Sequence, residues 1–223
     1  MSMSNNAPQD TNEQTLSTFE LLYEPITPVN PSSLTAESIQ NATFPALPRA
    51  FRLPAEASGT GSASFIVPIA LQGFFLPISV LSSALSLQLT FYTDSNGINQ
   101  LVNNVLAITT IGSGTMPSIG QVSQLGSSSV AVYNLPEQIP AGESAFFGLV
   151  PNYPKLDPGT PLEVRGYVTI QATGSSGGPL LLSPQTRTVN LVNYVTLKIT
   201  LTNEFIYPLP TPNGAALFNL GPS

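Results

Sequence analysis

The chain has 223 residues, of which 8% are charged and none is histidine, cysteine or tryptophan. Without histidine or cysteine, Ser–His–acid triads, imidazole bases, imidazole or thiolate metal sites, cysteine nucleophiles and disulfides are excluded, so enzyme chemistry would have to run on carboxylates, tyrosines or the two lysines, Lys155 and Lys198. Six scattered Lys and Arg against twelve acids give a formal net charge of −6 and no basic patch for a phosphate backbone, so no nucleic-acid partner is expected.

The opening MSMSNNAPQD has neither a basic n-region nor an apolar h-region, and no cleavable signal peptide is expected; an extracellular, cell-surface or virion location fits. Five acids (Asp10, Glu13, Glu20, Glu24 and Glu37) lie in residues 1–48, which hold no base, whereas the remainder nearly balances. Residues 1–42 therefore read as an acidic arm with one strand and a proline-rich connector, 43–209 as a single body and 210–223 as a C-terminal tail. The strand is TLSTFELLYE, in which Phe19, Leu21 and Tyr23 share one face. It is expected to lie outside the body, because the prolines at 25, 28 and 31 follow it as an extended connector. LTAESIQ at 34–40 is the one stretch that reads as helix.

From Ala63 onward the pattern is β. FIVPIALQGFFLPISVL, Phe65 to Leu81, is uncharged and nearly bilayer-length, but Pro68, Gly73 and Pro77 punctuate it and β-branched and aromatic residues dominate it. It reads as two short strands or a bent one with Gly73 at the corner, its prolines restricted to edges or bulges, and not as a transmembrane segment. ALSLQLTFYT at 84–93 alternates cleanly, with Leu85, Leu87, Leu89 and Phe91 on one face and Ser86, Gln88, Thr90 and Tyr92 on the other. The Asn96-Gly97 dipeptide then predicts a hairpin turn, with 101–111 as the returning strand. Residues 112–128 read as a long Gly/Ser/Gln loop, and 129–135, 145–150 and 162–172 as further strands. TRTVNLVNYVTLKITLT at 186–202 reads as one long strand with a bend or bulge at Asn193. Roughly nine to eleven short strands and no βαβ alternation predict an all-β fold: a two-sheet antiparallel β-sandwich, jelly-roll or Ig-like, with an extended N-terminal arm.

Few residues suggest chemistry. Glu137, Glu143 and Glu163 are the carboxylates to test for a hydrolase, but the acids of the body fall mostly in predicted turns, and no tryptophan is present to stack a sugar ring. TDSNG and LDPGT each carry one acid, too few for a calcium loop. The Gly-rich segments lack the lysine of a phosphate-binding loop, and Asn41 heads a glycosylation sequon by pattern alone. No cofactor, metal or catalytic residue is expected. Residues 57–136 carry a single charged side chain, Asp94, where a monomeric sandwich would scatter Lys and Glu to block edge-to-edge pairing. The expectation is thus a non-enzymatic structural subunit that self-assembles into a filament or virion shell, by exchange of its N-terminal strand. Thr15, Phe19, Leu21, Tyr23, Arg49, Arg52, Phe65, Phe74 and Phe75 are its candidate interface residues. The alternative is a β-sandwich module that binds carbohydrate or a surface protein through Tyr133, Tyr153 and Tyr167.

Overall fold

In the computed structural model, residues 12–25, 66–112, 116–126, 128–152, 156, 161–194 and 198–222 are described. Their thirteen strands belong to one antiparallel sheet that curls over a single core. The all-β expectation holds at that level. The candidate residues Arg49, Arg52, Phe65 and Tyr153, the 34–40 helix and Asn41 lie outside the described residues.

The strand read at 15–24 forms as β1 (Gln14–Pro25). It does not stand outside the body. It lies between β2 (Ile66–Val80) and β9 (Leu162–Ala172), with Leu22 opposite both Gln72 and Glu163. Leu16, Phe19, Leu21 and Tyr23 are buried in the common core. The sequence misleads here because a proline-rich stretch reads as detachment, whereas hydrophobic burial decides where the preceding strand goes. Each such side chain contributes about 1.5–3 kcal/mol, so β1 supplies a large part of the net stability of a domain, typically about 5–15 kcal/mol.

Within the uncharged run, Ile66–Val80 is one strand, β2, whose partners change at Gly73. One edge carries β1 along Ile69–Gln72 and then β8 (Ser144–Pro151) along Phe74–Ser79. The other edge carries β11 (Gln185–Tyr194) along Ile66–Phe75 and then β10 (Gly178–Leu182) along Ile78–Val80. The pairs Phe75–Gln185 and Ile78–Leu182 share one register, so β10 and β11 are a single line broken at Ser183–Pro184. The predicted corner is therefore present. A Cβ on Gly73 would stand 2.9 Å from the Leu149 carbonyl oxygen and 2.9 Å from the Phe75 ring, so only glycine lets β1 give way to β8 there. Beyond the corner Phe74, Leu76, Ile78 and Val80 face the core.

Two groups of strands thus share one edge of β2. On one side run β1, β9, β3 (Leu87–Tyr92), β7 (Val130–Asn134) and β6 (Ser123–Gln124); on the other run β8, β4 (Val105–Ile111) and β5 (Ser118–Gly120). The stretch read as a loop at 112–128 holds β5 and β6, which bring the two ends of this path close together. Tyr133 on β7 and Thr109 on β4 hydrogen-bond across the gap at 3.0 Å, so the sheet closes on itself as a curled half-barrel. Phe74 stands at the centre, 6.4 Å from the Phe19 ring, 6.5 Å from Phe91 and 6.5 Å from Phe147.

Two sequence readings are corrected. The hairpin predicted at Asn96-Gly97 is instead a helix, α1 (Ser95–Asn104). Asp94 caps it by accepting the Gly97 amide at 2.6 Å, and Ile98 and Leu101, three apart, are buried against the sheet. Asp94 thereby commits the DSNG turn signal to a helix start, and β3 and β4 do not pair. The long strand read at 186–202 is two strands, β11 and β12 (Lys198–Pro208), paired antiparallel, with a register shift at Asn190/Leu191 in place of a bend at Asn193. Finally, β13 (Leu217–Leu220) in the tail pairs with β10, and Phe218 and Leu220 reach the core.

Candidate functional site

The outward face of the strands that run from β7 to β2 is wired across its strands. Gln171 donates to Gln88 at 2.5 Å and Gln88 to Asn134 at 2.7 Å, an amide ladder over three strands. Next to it the Tyr92 and Tyr167 rings stack at 4.5 Å, only 7° from parallel. The Tyr92 hydroxyl donates to Glu13 at 2.8 Å, and Thr169 donates to the same carboxylate. Burial first, and then the Glu13 hydrogen bond and charge, push the Tyr92 hydroxyl up to about 12, so at neutral pH it is a donor and not a nucleophile. Further along, Glu20 accepts from Arg165 and from Gln72 at 3.0 Å, and Arg165 also meets Glu163 at 3.0 Å. The pairing strands place these groups opposite one another, and most of their polar reach is spent on one another.

A second cluster sits on the outer side of β2 beyond the corner. The Arg187 guanidinium lies 5.0 Å from the centroids of both Phe75 and Phe146, whose rings are 5.7 Å apart. It also pairs with Glu204 at 3.1 Å, while its Nε is buried without a hydrogen bond among the described residues. Gly148 opens the floor beneath the Phe75 ring, since its Cβ would approach that ring to 2.9 Å. The arrangement anchors the β11–β12 hairpin to β2 by cation–π contact.

A third feature is an open groove of about 450 Å³ lined by Ile111, Gly112, Glu137, Gln138, Pro140, Ala141 and Glu143. It gathers two of the three carboxylates read as hydrolase candidates. The third, Glu163, is elsewhere, in its ion pair with Arg165.

The candidate interface residues divide. Thr15 is exposed at the β1 bulge, opposite Thr169. Phe19, Leu21 and Tyr23 are turned into the core of the chain, and Phe74 is fully buried among the aromatic rings. Phe75 is half-buried on the outer face under Arg187. Of the tyrosines proposed for ligand binding, Tyr133 is buried and bonded to Thr109, whereas Tyr167 is 45% exposed.

Sequence reasoning missed the longest consecutive run of exposed large apolar side chains among the described residues, at the end of β12. Phe205, Ile206 and Tyr207 are 41%, 52% and 56% exposed, and β11 is the only described strand that pairs with β12. Its signal was available as three consecutive large apolar residues, a pattern that fits neither a half-buried strand nor a polar loop. No protein-family model matches the chain, and no curated protein matches its sequence.

Proposed function

We propose that the protein is a non-enzymatic structural subunit that assembles with copies of itself, and that β1 is the strand exchanged between them. The observation that carries this reading is the connection of β1. It pairs directly with β2, yet residues 26–65 separate the two, 40 residues where a hairpin turn of two would do. A stretch of that length spans up to roughly 130 Å when extended. The β1 of one copy can therefore fill the slot between β2 and β9 of another with every contact described above retained. The chain's low charge supports the same reading, since 8% charged residues give little electrostatic protection against association. The assembly would be a filament or a shell.

A disulfide tests it, because the chain has no cysteine of its own. Leu22 on β1 and Glu163 on β9 are direct partners. In the L22C/E163C variant, exchange joins different chains, and non-reducing electrophoresis shows covalent oligomers. Monomer bands alone, from protein oxidised at the concentration where light scattering finds oligomers, refute the exchange.

The second reading is a binding module, favoured by the exposed Tyr167 ring stacked on Tyr92, a platform for a sugar ring. Glycan-array binding lost in Y167A at unchanged oligomeric mass would decide for it.

A further inference from the structure

We propose that the edge of β12 away from β11, where no described strand pairs, joins antiparallel with β12 of a second copy, about a two-fold axis at Ile206. This rests on the self-association reading above but uses a different surface from β1.

The backbone points the right way. The Leu209 amide donates to the Pro184 carbonyl at 2.9 Å on the β11 side. In an antiparallel ladder the groups of successive residues alternate between the two edges. Tyr207 and Phe205 therefore aim their amides and carbonyls at β11, and Glu204, Ile206 and Pro208 aim theirs at the open edge. A strand edge with outward donors and acceptors is a template for another strand.

The side chains favour a second copy over a foreign strand, because the segment is self-complementary. Centring the pairing on Ile206 sets Ile206 against Ile206 on one face. It sets Phe205 against Tyr207, and Tyr207 against Phe205, on the other. Aromatic cross-strand pairs of this kind stabilise antiparallel strands. Glu204 falls opposite Pro208, so its carboxylate meets no like charge and keeps its Arg187 partner. A centre at Glu204 would place two carboxylates face to face. The Ile206 register yields four backbone hydrogen bonds, two between the Ile206 residues and two from the Glu204 amides to the Pro208 carbonyls. Pro208, with no amide, stops the ladder there. The contact is short, which puts it in the weak, concentration-dependent class.

The absence of cysteine makes the test clean. Directly opposed residues have Cα atoms about 5.5 Å apart in a hydrogen-bonded pair, inside the usual disulfide range of roughly 4.4–6.8 Å. In air, I206C is expected to form a covalent dimer at least about tenfold faster than L217C, a control at a site 57% exposed. The wild-type mass, 23.4 kDa as a monomer, should rise with concentration, and I206K should flatten that rise at an unchanged melting temperature, leaving only whatever association β1 exchange supplies. Equal cross-linking of I206C and L217C overturns the proposal, as does a mass for I206K that still rises like the wild type. Covalent oligomers of L22C/E163C without fast I206C dimers sink the β12 contact alone. Fast I206C dimers with only monomeric L22C/E163C sink the β1 exchange alone.

Discussion

Replacing Gly148 by alanine should destabilise the protein, and the same change should stabilise it once Phe75 is gone. The added Cβ would sit 2.9 and 3.0 Å from two Phe75 ring carbons and 3.8 Å from Phe146. Ordinary carbon–carbon contact is about 3.5–4.0 Å, so the ring must retreat by roughly half an ångström. It cannot do so freely, because Arg187 and Phe146 hold it. Overpacking of this kind costs about 1–3 kcal/mol, against which alanine recovers about 0.5–1 kcal/mol of backbone entropy. The net expectation is a loss of about 0.5–2 kcal/mol. In F75A the near contacts vanish and only the ordinary one to Phe146 remains, so G148A should gain about 0.5–1 kcal/mol. The coupling, on the order of 2 kcal/mol, separates the melting shifts in the two backgrounds by roughly 4–8 °C. G73A is the internal control. Its Cβ also meets the Leu149 carbonyl oxygen, which F75A does not remove, so it should stay destabilising in both backgrounds. Denaturant melts of the four variants of the Gly148–Phe75 cycle suffice. Additivity within about 0.5 kcal/mol would refute the account of the Phe75 pocket.

The remaining predictions concern Tyr92 and the α1 cap. With its folded value raised to about 12 from the usual 10, Tyr92 contributes stability that is intact below pH 10 and lost between pH 10 and 12, as the unfolded chain ionises first. Absorbance titration should show a late step that Y92F removes and E13Q shifts to lower pH; an unchanged late step in Y92F rules out the assignment. D94A leaves the first turn of α1 without its side-chain acceptor and should cost about 1 kcal/mol in a denaturant melt; a change within measurement error would mean that Ile98 and Leu101 alone fix the helix.

How much of this was legible depended on whether a local pattern had one physical meaning. The strand predicted at 162–172 is β9, Leu162–Ala172, since it is paired on both edges and buried on one face, which is the condition that produces alternation. Gly73 was legible as a corner because glycine between two apolar runs answers a steric need. The DSNG stretch had two meanings. Asn-Gly marks a tight turn, Asp is also a favoured helix N-cap, and the choice fell to Ile98 and Leu101, whose burial is a tertiary fact. The three residues that link β11 to β12 in sequence, 195–197, are Val, Thr and Leu, two of them strand formers. The position of this link follows from the pairing of β11 with β2 on one edge and β12 on the other, which no local pattern encodes.

The same non-locality sharpens the argument from low charge. Gln88, Tyr92, Thr169 and Gln171 are uncharged residues on the polar parities of the strands read at 84–93 and 162–172. In the fold they bond to one another and to Glu13 and Asn134, so that surface is largely satisfied without a partner. An uncharged outward face is therefore not by itself a reason to associate; its polar groups can be consumed by the strands alongside. At the end of β12, β11 consumes one edge and no described strand takes up the other. Glu204, Ile206 and Pro208 turn backbone groups to that edge, with exposed Ile206 on one face and exposed Phe205 and Tyr207 on the other. Sheet order, which only the fold reveals, moves this part of the case for a second copy from the uncharged surface to these five residues, and there a single lysine at Ile206 should be enough to remove the contact.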